Sequence, residues 1–239
     1  VGNSHLKASI DDSILNDRLS IIFKNYGNNG QSMFWSLIGA KKIINQGSKY
    51  IFLELNNSSF TTGWKTTDKK RGLREYKKIY YLNITELLDF FIHSPLFSME
   101  LIFFKTPIPS PIVRGGFHGI SGEFKNTILA ENKIKSFLVD YKYNEIVKFI
   151  NKNNNINFFI FRVPQHPRFY NSIDDSNEKY FKRSFENFKN IKNCTVMDFG
   201  HIYNDDNMFF DLSHLSNRGA KQFSNFLADT LGKINYFDK

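Results

Sequence analysis

The sequence predicts an α/β domain built on a mainly parallel sheet. Compact apolar runs of strand length have the character of buried parallel strands, and segments with helical spacing of apolar residues alternate with them. A chain of 239 residues is long enough to bury a substantial core as one domain.

The elements follow in order. Val1 reads as the last residue of an apolar strand, which leaves room for a membrane anchor or signal upstream. "KASIDDSIL" after it is helix-like, and "LSIIFKN" (19–25) reads as a strand ending in the Gly/Asn-rich turn "YGNNGQS". "MFWSLIGAKKIINQ" (33–46) has helical spacing, and "KYIFLEL" (49–55) is a buried-strand run. "INFFIFRVP" (156–164) and "CTVMDF" (194–199) repeat the strand character. "YNEIVKFINKNN", "SNEKYFKRSFENFKN" and "NRGAKQFSNFLADTLGKI" read as helices. The stretch of about 60–140 breaks the alternation with a basic run, a long aromatic segment and "TPIPSPIVRGGFHGISGEF", where Pro and Gly oppose regular structure. It reads as a cap or insertion within a single domain spanning 1–239. In open parallel sheets, ligands gather where loops leave the carboxyl ends of the strands.

Composition excludes whole classes. With 41% hydrophobic and 23% charged residues the chain is not intrinsically disordered. A net charge of +9 favours acidic partners without choosing among nucleic acid, anionic polysaccharide and membrane surface. The single cysteine, Cys194, rules out an internal disulfide and reads as a buried inert thiol. The most apolar stretch, "LLDFFIHSPLFSMELIFF", is broken by Asp89, His93, Pro95 and Glu100 and does not read as a membrane span; no signal peptide is visible. The six histidines are dispersed without metal-ligand spacing, and "GNNG" lacks the lysine and length of a phosphate loop, so no metal and no cofactor are expected.

Two short segments carry the chemistry. Ser4, in "VGNSHLKAS", follows a strand end and starts a helix-like stretch, where free N–H groups favour negative charge; it suits a nucleophile or simply a helix cap. Asp211 and His214, in "FFDLSHLSNRGAKQF", lie just before the last helix. The carboxylate can hold His Nδ1–H and free Nε2 as a base, or both residues can decorate a helix start capped by Ser213 or Ser216.

Together, Gly2-Asn3-Ser4-His5 near the start and Asp211-Leu212-Ser213-His214 before the last helix resemble the GDSL/SGNH hydrolase superfamily, over almost the whole chain. The resemblance implies a flavodoxin-like three-layer α/β/α sandwich with a mainly parallel sheet. It implies a triad of Ser4, His214 and Asp211, and an oxyanion hole formed by Ser4 N–H, Gly30 N–H (Gly27 as alternative) and Asn57 (alternative Asn56, or even Ser58). "LELNNSSF" departs from the family's Gly-x-Asn-Asp, lacking the glycine and the second acid, and Asn3 stands in place of the usual Asp. His5 after the serine and "HLSNRGA" resemble the branch acting on bacterial surface polysaccharides. That implies a carbohydrate or polysaccharide O-acetyl ester as substrate, an esterase with an O-acetyltransferase as the alternative outcome, and an extracytoplasmic or membrane-associated setting, with a cytoplasmic one as alternative. No nucleic-acid partner is expected on this reading.

Four further residues are candidate substrate contacts: Arg162 and His166 (with Arg168) in "IFRVPQHPRFY", and Arg114 and His118 in "VRGGFHGISGEF". Each has a plainer reading as loop decoration. His5 reads as packing or capping beside Ser4, the basic run 65–78 as a solvated face, and Trp64 as packing in the cap. The rivals from other classes are a non-catalytic module binding acidic glycans and a nucleic-acid binder motivated by charge alone.

Overall fold

Three parallel strands form the centre of the molecule: β1 (Tyr50–Glu54), β2 (Asn157–Arg162) and β3 (Cys194–Asp198), side by side in that order. The computed structural model describes residues 1–27, 33–60, 117, 119–125, 140–171 and 173–238. The chain divides into two compact units, Val1–Thr61 with Gly115–Lys239 and Thr62–Arg114, and all described residues belong to the first. Of the expected cap at about 60–140, only Phe60, Phe117, 119–125 and Asp140 are described.

The interiors of β1 and β2 are apolar because both faces of the sheet are covered there, while β3 is half-buried. Phe52, Phe159 and Phe161 pack on one face with Leu6 of α1 (Ser4–Ser9), Ile10 just after it, Leu15 of α2 (Asp12–Leu19) and Phe223, Leu227 and Leu231 of the last helix (Asn217–Lys233). Ile51, Leu53, Phe158 and Ile160 face the other way. They meet Met33 and Ala40 of α3 (Met33–Asn45), Ile146 and Ile150 of α4 (Asp140–Lys152), and Phe181 and Phe185 of a helix over Asp175–Asn187. Each of these wholly buried Phe, Leu or Ile side chains contributes roughly 2 kcal/mol of transfer free energy. In chain order, Pro167–Tyr170 is α5, Asp175–Asn187 is α6 and Asn217–Lys233 is α7. The layering is helices, sheet, helices.

The sheet continues beyond β1. Val1 N donates to Phe52 O at 2.5 Å and Glu54 N donates to Val1 O at 3.0 Å, so the first residue lies along β1 as a strand end would. Gly2 in turn bridges Gly27 in parallel. The segment over 19–25 departs from expectation: α2 runs to Leu19, Ser20 takes the left-handed conformation (φ 53), and 21–26 form no ladder before the single bridge at Gly27. The described pairing on that side is the Gly2–Gly27 bridge alone, and Ile22 is 89% exposed. The helix-like "KASIDDSIL" is two helices. Ile10 is extended between them, and Asp11 caps α2 by accepting Ser13 N–H at 3.1 Å. Among the described residues no helix is long and apolar enough to cross a membrane.

Candidate active site

The carboxyl end of the sheet brings the two ends of the chain together. Val1–Gly2 leads directly into α1, whose N-cap is Asn3: its Oδ1 accepts His5 N–H at 2.8 Å, so Ser4 is the first helical residue rather than the cap. In the first turn of a helix the backbone N–H groups have no intrahelical acceptor, which leaves the Ser4 amide suited to an anion. From the other end, β3 leads to a loop whose last residues, Asp211–Leu215, precede Ser216. Ser216 caps α7 by accepting Gly219 N–H at 3.2 Å, so capping and the Asp–His pair coexist.

Ser4 Oγ lies 3.0 Å from His214 Nε2. On the far side of that ring, Nδ1 lies 3.0 Å from both carboxylate oxygens of Asp211. A carboxylate can only accept, so Nδ1 carries the proton, Nε2 presents its lone pair, and Ser4 Oγ–H donates to it. Burial works to raise the Asp211 pKa, but the bond and charge of His214, with the N–H and hydroxyl of Ser213, hold it well below the usual carboxylate range. The side chains of His214 and Asp211 are 20% and 21% exposed, enough shelter to strengthen the pair and enough opening to admit a reactant.

His5 stands beside this pair, edge-on to the His214 ring with 5.0 Å between centroids. Burial first, and then the neighbouring His214, pull its pKa down to about 3 against the raising effect of Asp211, so it is neutral. Asn56 Nδ2 donates to His5 Nδ1 at 3.2 Å and to Glu54 Oε1 at 3.0 Å. Asn57 is directed elsewhere: its Nδ2 donates to Glu178 Oε2 at 2.6 Å. Between the two candidates in "LELNN", Asn56 is the one whose amide reaches the Ser4–His5 turn. Of the two glycines, Gly27 donates its N–H to Asn25 Oδ1 at 2.8 Å and is occupied there. Gly30, Arg114, His118, Trp64 and the basic run 65–78 lie outside the described residues, as does the side chain of Ser58.

Arg162 and His166 are not rim residues. Arg162 is wholly buried. Its Nε and Nη2 donate to Asp198 at 2.8 and 2.6 Å, its Nη1 donates to Glu178 at 3.0 Å, and its guanidinium lies over the rings of Tyr170 and Phe181. It locks β2 to β3 and α6. His166 is 3% exposed, caps α5 by accepting Arg168 N–H at 3.1 Å, meets Asp206 Oδ1 at 2.8 Å and stacks on Phe124. Its backbone N–H donates to Leu212 O at 3.1 Å, so it braces the loop that carries Asp211 and His214 instead of meeting a ligand. Cys194, half-buried in β3, has its thiol pushed up to about 12 by burial and is inert at neutral pH. Among the described residues no three His, Cys, Asp or Glu side chains gather as metal ligands.

Glu54 was not singled out in the sequence, although an acid inside "KYIFLEL" is the signal that marks it. It is 1% exposed, and burial raises its pKa to about 7, offset in part by bonds from Asn56 and the Asn3 N–H.

No family model matches the chain, and no curated protein matches it.

Proposed function

We propose that the protein is a serine ester hydrolase of the SGNH type, cleaving O-acetyl groups from a carbohydrate or cell-surface polysaccharide. One observation carries the reading: Ser4 Oγ, His214 and Asp211 form a continuous hydrogen-bonded chain, each link 3.0 Å long, from residues 210 positions apart. A histidine oriented by a carboxylate and placed on a serine hydroxyl is the arrangement that activates a serine nucleophile. The order of neighbours across the sheet (Gly27 segment, Val1–Gly2, β1, β2, β3) supports a flavodoxin-like sandwich. The choice of a carbohydrate acetyl ester rests on the resemblance of "NSH" and "HLSNRGA" and on the basic net charge of +9.

Ser4 Oγ attacks the ester carbonyl while His214 Nε2 takes its proton. Asp211 holds the imidazolium, and the oxyanion settles against the Ser4 N–H at the start of α1. Collapse expels the sugar hydroxyl, which takes the proton back from His214. Water then adds to the acyl-enzyme by the same route and releases acetate; a sugar hydroxyl in place of water would make the same intermediate an acyl donor.

The test is turnover of a small aryl acetate and covalent labelling by a fluorophosphonate, wild type against Ser4→Ala. Wild type is expected to be labelled on Ser4 and to release acetate from an O-acetylated polysaccharide. Ser4→Ala should lose about a thousandfold or more in turnover. Wild-type turnover and labelling no greater than those of Ser4→Ala would sink the proposal.

A further inference from the structure

Glu54 ends an otherwise apolar strand, and its two oxygens meet two N–H donors. Oε1 accepts from Asn56 Nδ2 at 3.0 Å and Oε2 from the backbone N–H of Asn3 at 3.5 Å. Asn3 caps the turn that opens α1 with Ser4. Asn56, held by Glu54, donates its amide to His5 Nδ1 at 3.2 Å; this fixes the neutral ring as the Nε2–H tautomer, edge-on to His214. The backbone closes over the carboxyl as well: a Cβ on Gly2 would stand 2.9 Å from Glu54 Oε2.

Resting on the esterase reading, we propose that Glu54 is a positioning residue that works in its ionised form, holding through Asn3 and Asn56 the turn that carries Ser4 and the His5 ring beside His214. The argument is one of donors and acceptors. A carboxylate offers two acceptor oxygens to its two N–H partners; a carboxylic acid or an amide offers one acceptor and one donor, and sets a donor against a donor. The titratable groups facing Glu54 are His214 on the loop before α7 and, behind Asn56, His5 on α1. Burial outweighs them and brings the carboxyl to about 7, and the base His214 must separately be free of its Nε2 proton to act. Activity should therefore climb with pH through two ionisations, because a raised carboxyl pKa means the neutral, mismatched form prevails below it.

The measurement is kcat and KM for the aryl acetate from about pH 5.5 to about pH 9, with thermal unfolding as a control. Wild type should show two ionisations on its acid limb. Glu54→Gln, a permanent analogue of the neutral acid, should show one, with kcat about tenfold lower or more and KM within about twofold. Asn56→Ala removes the strongest bond that favours the ionised carboxyl, so the second ionisation should move to higher pH, and this variant decides the matter even where Glu54→Gln folds poorly. An unaltered profile in Glu54→Gln, or an acid limb that stays in place in Asn56→Ala, overturns the inference while leaving the esterase reading intact. Absence of turnover in the wild type overturns the esterase reading and takes this one with it.

Discussion

Asp211 Oδ1 accepts the backbone N–H groups of Ser213 at 2.7 Å and His214 at 2.9 Å while lying 3.0 Å from His214 Nδ1. An asparagine there can keep the two backbone bonds through its carbonyl oxygen. Its amide nitrogen can then face Nδ1 only if the ring takes the opposite tautomer, with the proton on Nε2, which cannot accept from Ser4. Asp211→Asn should therefore fold as the wild type does yet lose about a thousand- to ten-thousandfold in kcat on the aryl acetate, with KM little changed. A loss smaller than about tenfold would show that Asp211 does not set the tautomer. Because Asp211 is held below the ordinary carboxylate range, its protonation should not be what ends activity in mild acid. This triad was readable in the sequence because each member sits next to a local marker, a strand end or a helix start. Asn56 and Asn57 were not separable that way: a single turn of 3₁₀ helix over Asn57–Phe60 decides which amide faces the Ser4 turn and which faces Glu178. The burial of Arg162 was hidden for a related reason, since its partners lie 16 and 36 residues away. A clue existed nonetheless. Arg162 and Asp198 close two apolar strands at matching positions, and the parallel register pairs them directly.

At the level of elements, the placement of Ser4 depends on how closely α1 is clamped against the segment ending at Gly27. Asn25, 2% exposed, donates its amide to the carbonyls of Leu6 and Ile10 at 3.1 and 2.8 Å and accepts Gly27 N–H through its oxygen. It thus adds a second donor to the Leu6 carbonyl, which already accepts the Ile10 N–H at 3.3 Å, and supplies a donor to the carbonyl of Ile10 just past the helix. Gly27 passes so near that a Cβ there would lie 2.4 Å from Lys7 N and 2.7 Å from Lys7 Cα, both backbone atoms that cannot turn aside. Gly27→Ala should thus push α1 outward, lower stability by about 1–3 kcal/mol, and slow fluorophosphonate labelling of Ser4 even in the fraction that stays folded. Labelling at the wild-type rate in a folded Gly27→Ala protein would show that α1 is not held from this side. The helices and three strands of the ladder were legible because buried parallel strands read as unbroken apolar runs. "LSIIFKN" reads the same way yet none of its residues pairs, the one bridge falling beyond it at Gly27, because an apolar run states a preference for burial and not the presence of a neighbouring strand.

For the whole molecule, the buried carboxyl of Glu54 sets stability against function. Its pKa is raised from 4.5 to about 7 on folding, so the folded state resists ionisation that the unfolded chain undergoes freely. The sign follows: no cost below about pH 4.5, a growing cost as pH rises toward 7, and a full cost above it, on the order of 3 kcal/mol. Other buried groups act in the opposite sense. His5, lowered to about 3, refuses a proton that the unfolded chain binds, so it destabilises the fold as pH falls. The depressed carboxyls of Asp198, Glu178 and Asp211 do so only in more acid solution. The wild-type melting temperature against pH therefore mixes opposing contributions, and the difference between Glu54→Gln and wild type isolates the one of interest. That difference should be small or negative near pH 5, where the wild-type carboxyl is already neutral and the amide mismatches its donors. It should rise by several degrees by about pH 8, where only the wild type must hold a buried charge. Circular-dichroism melts at the two pH values provide the check, and a difference that does not grow with pH would mean that Glu54 is not ionising inside the fold. If it does grow, the variant that is more stable at alkaline pH should also be the slower catalyst. A cost accepted in stability to keep a charge beneath Ser4 is what a positioning residue, as opposed to a filler of the core, requires.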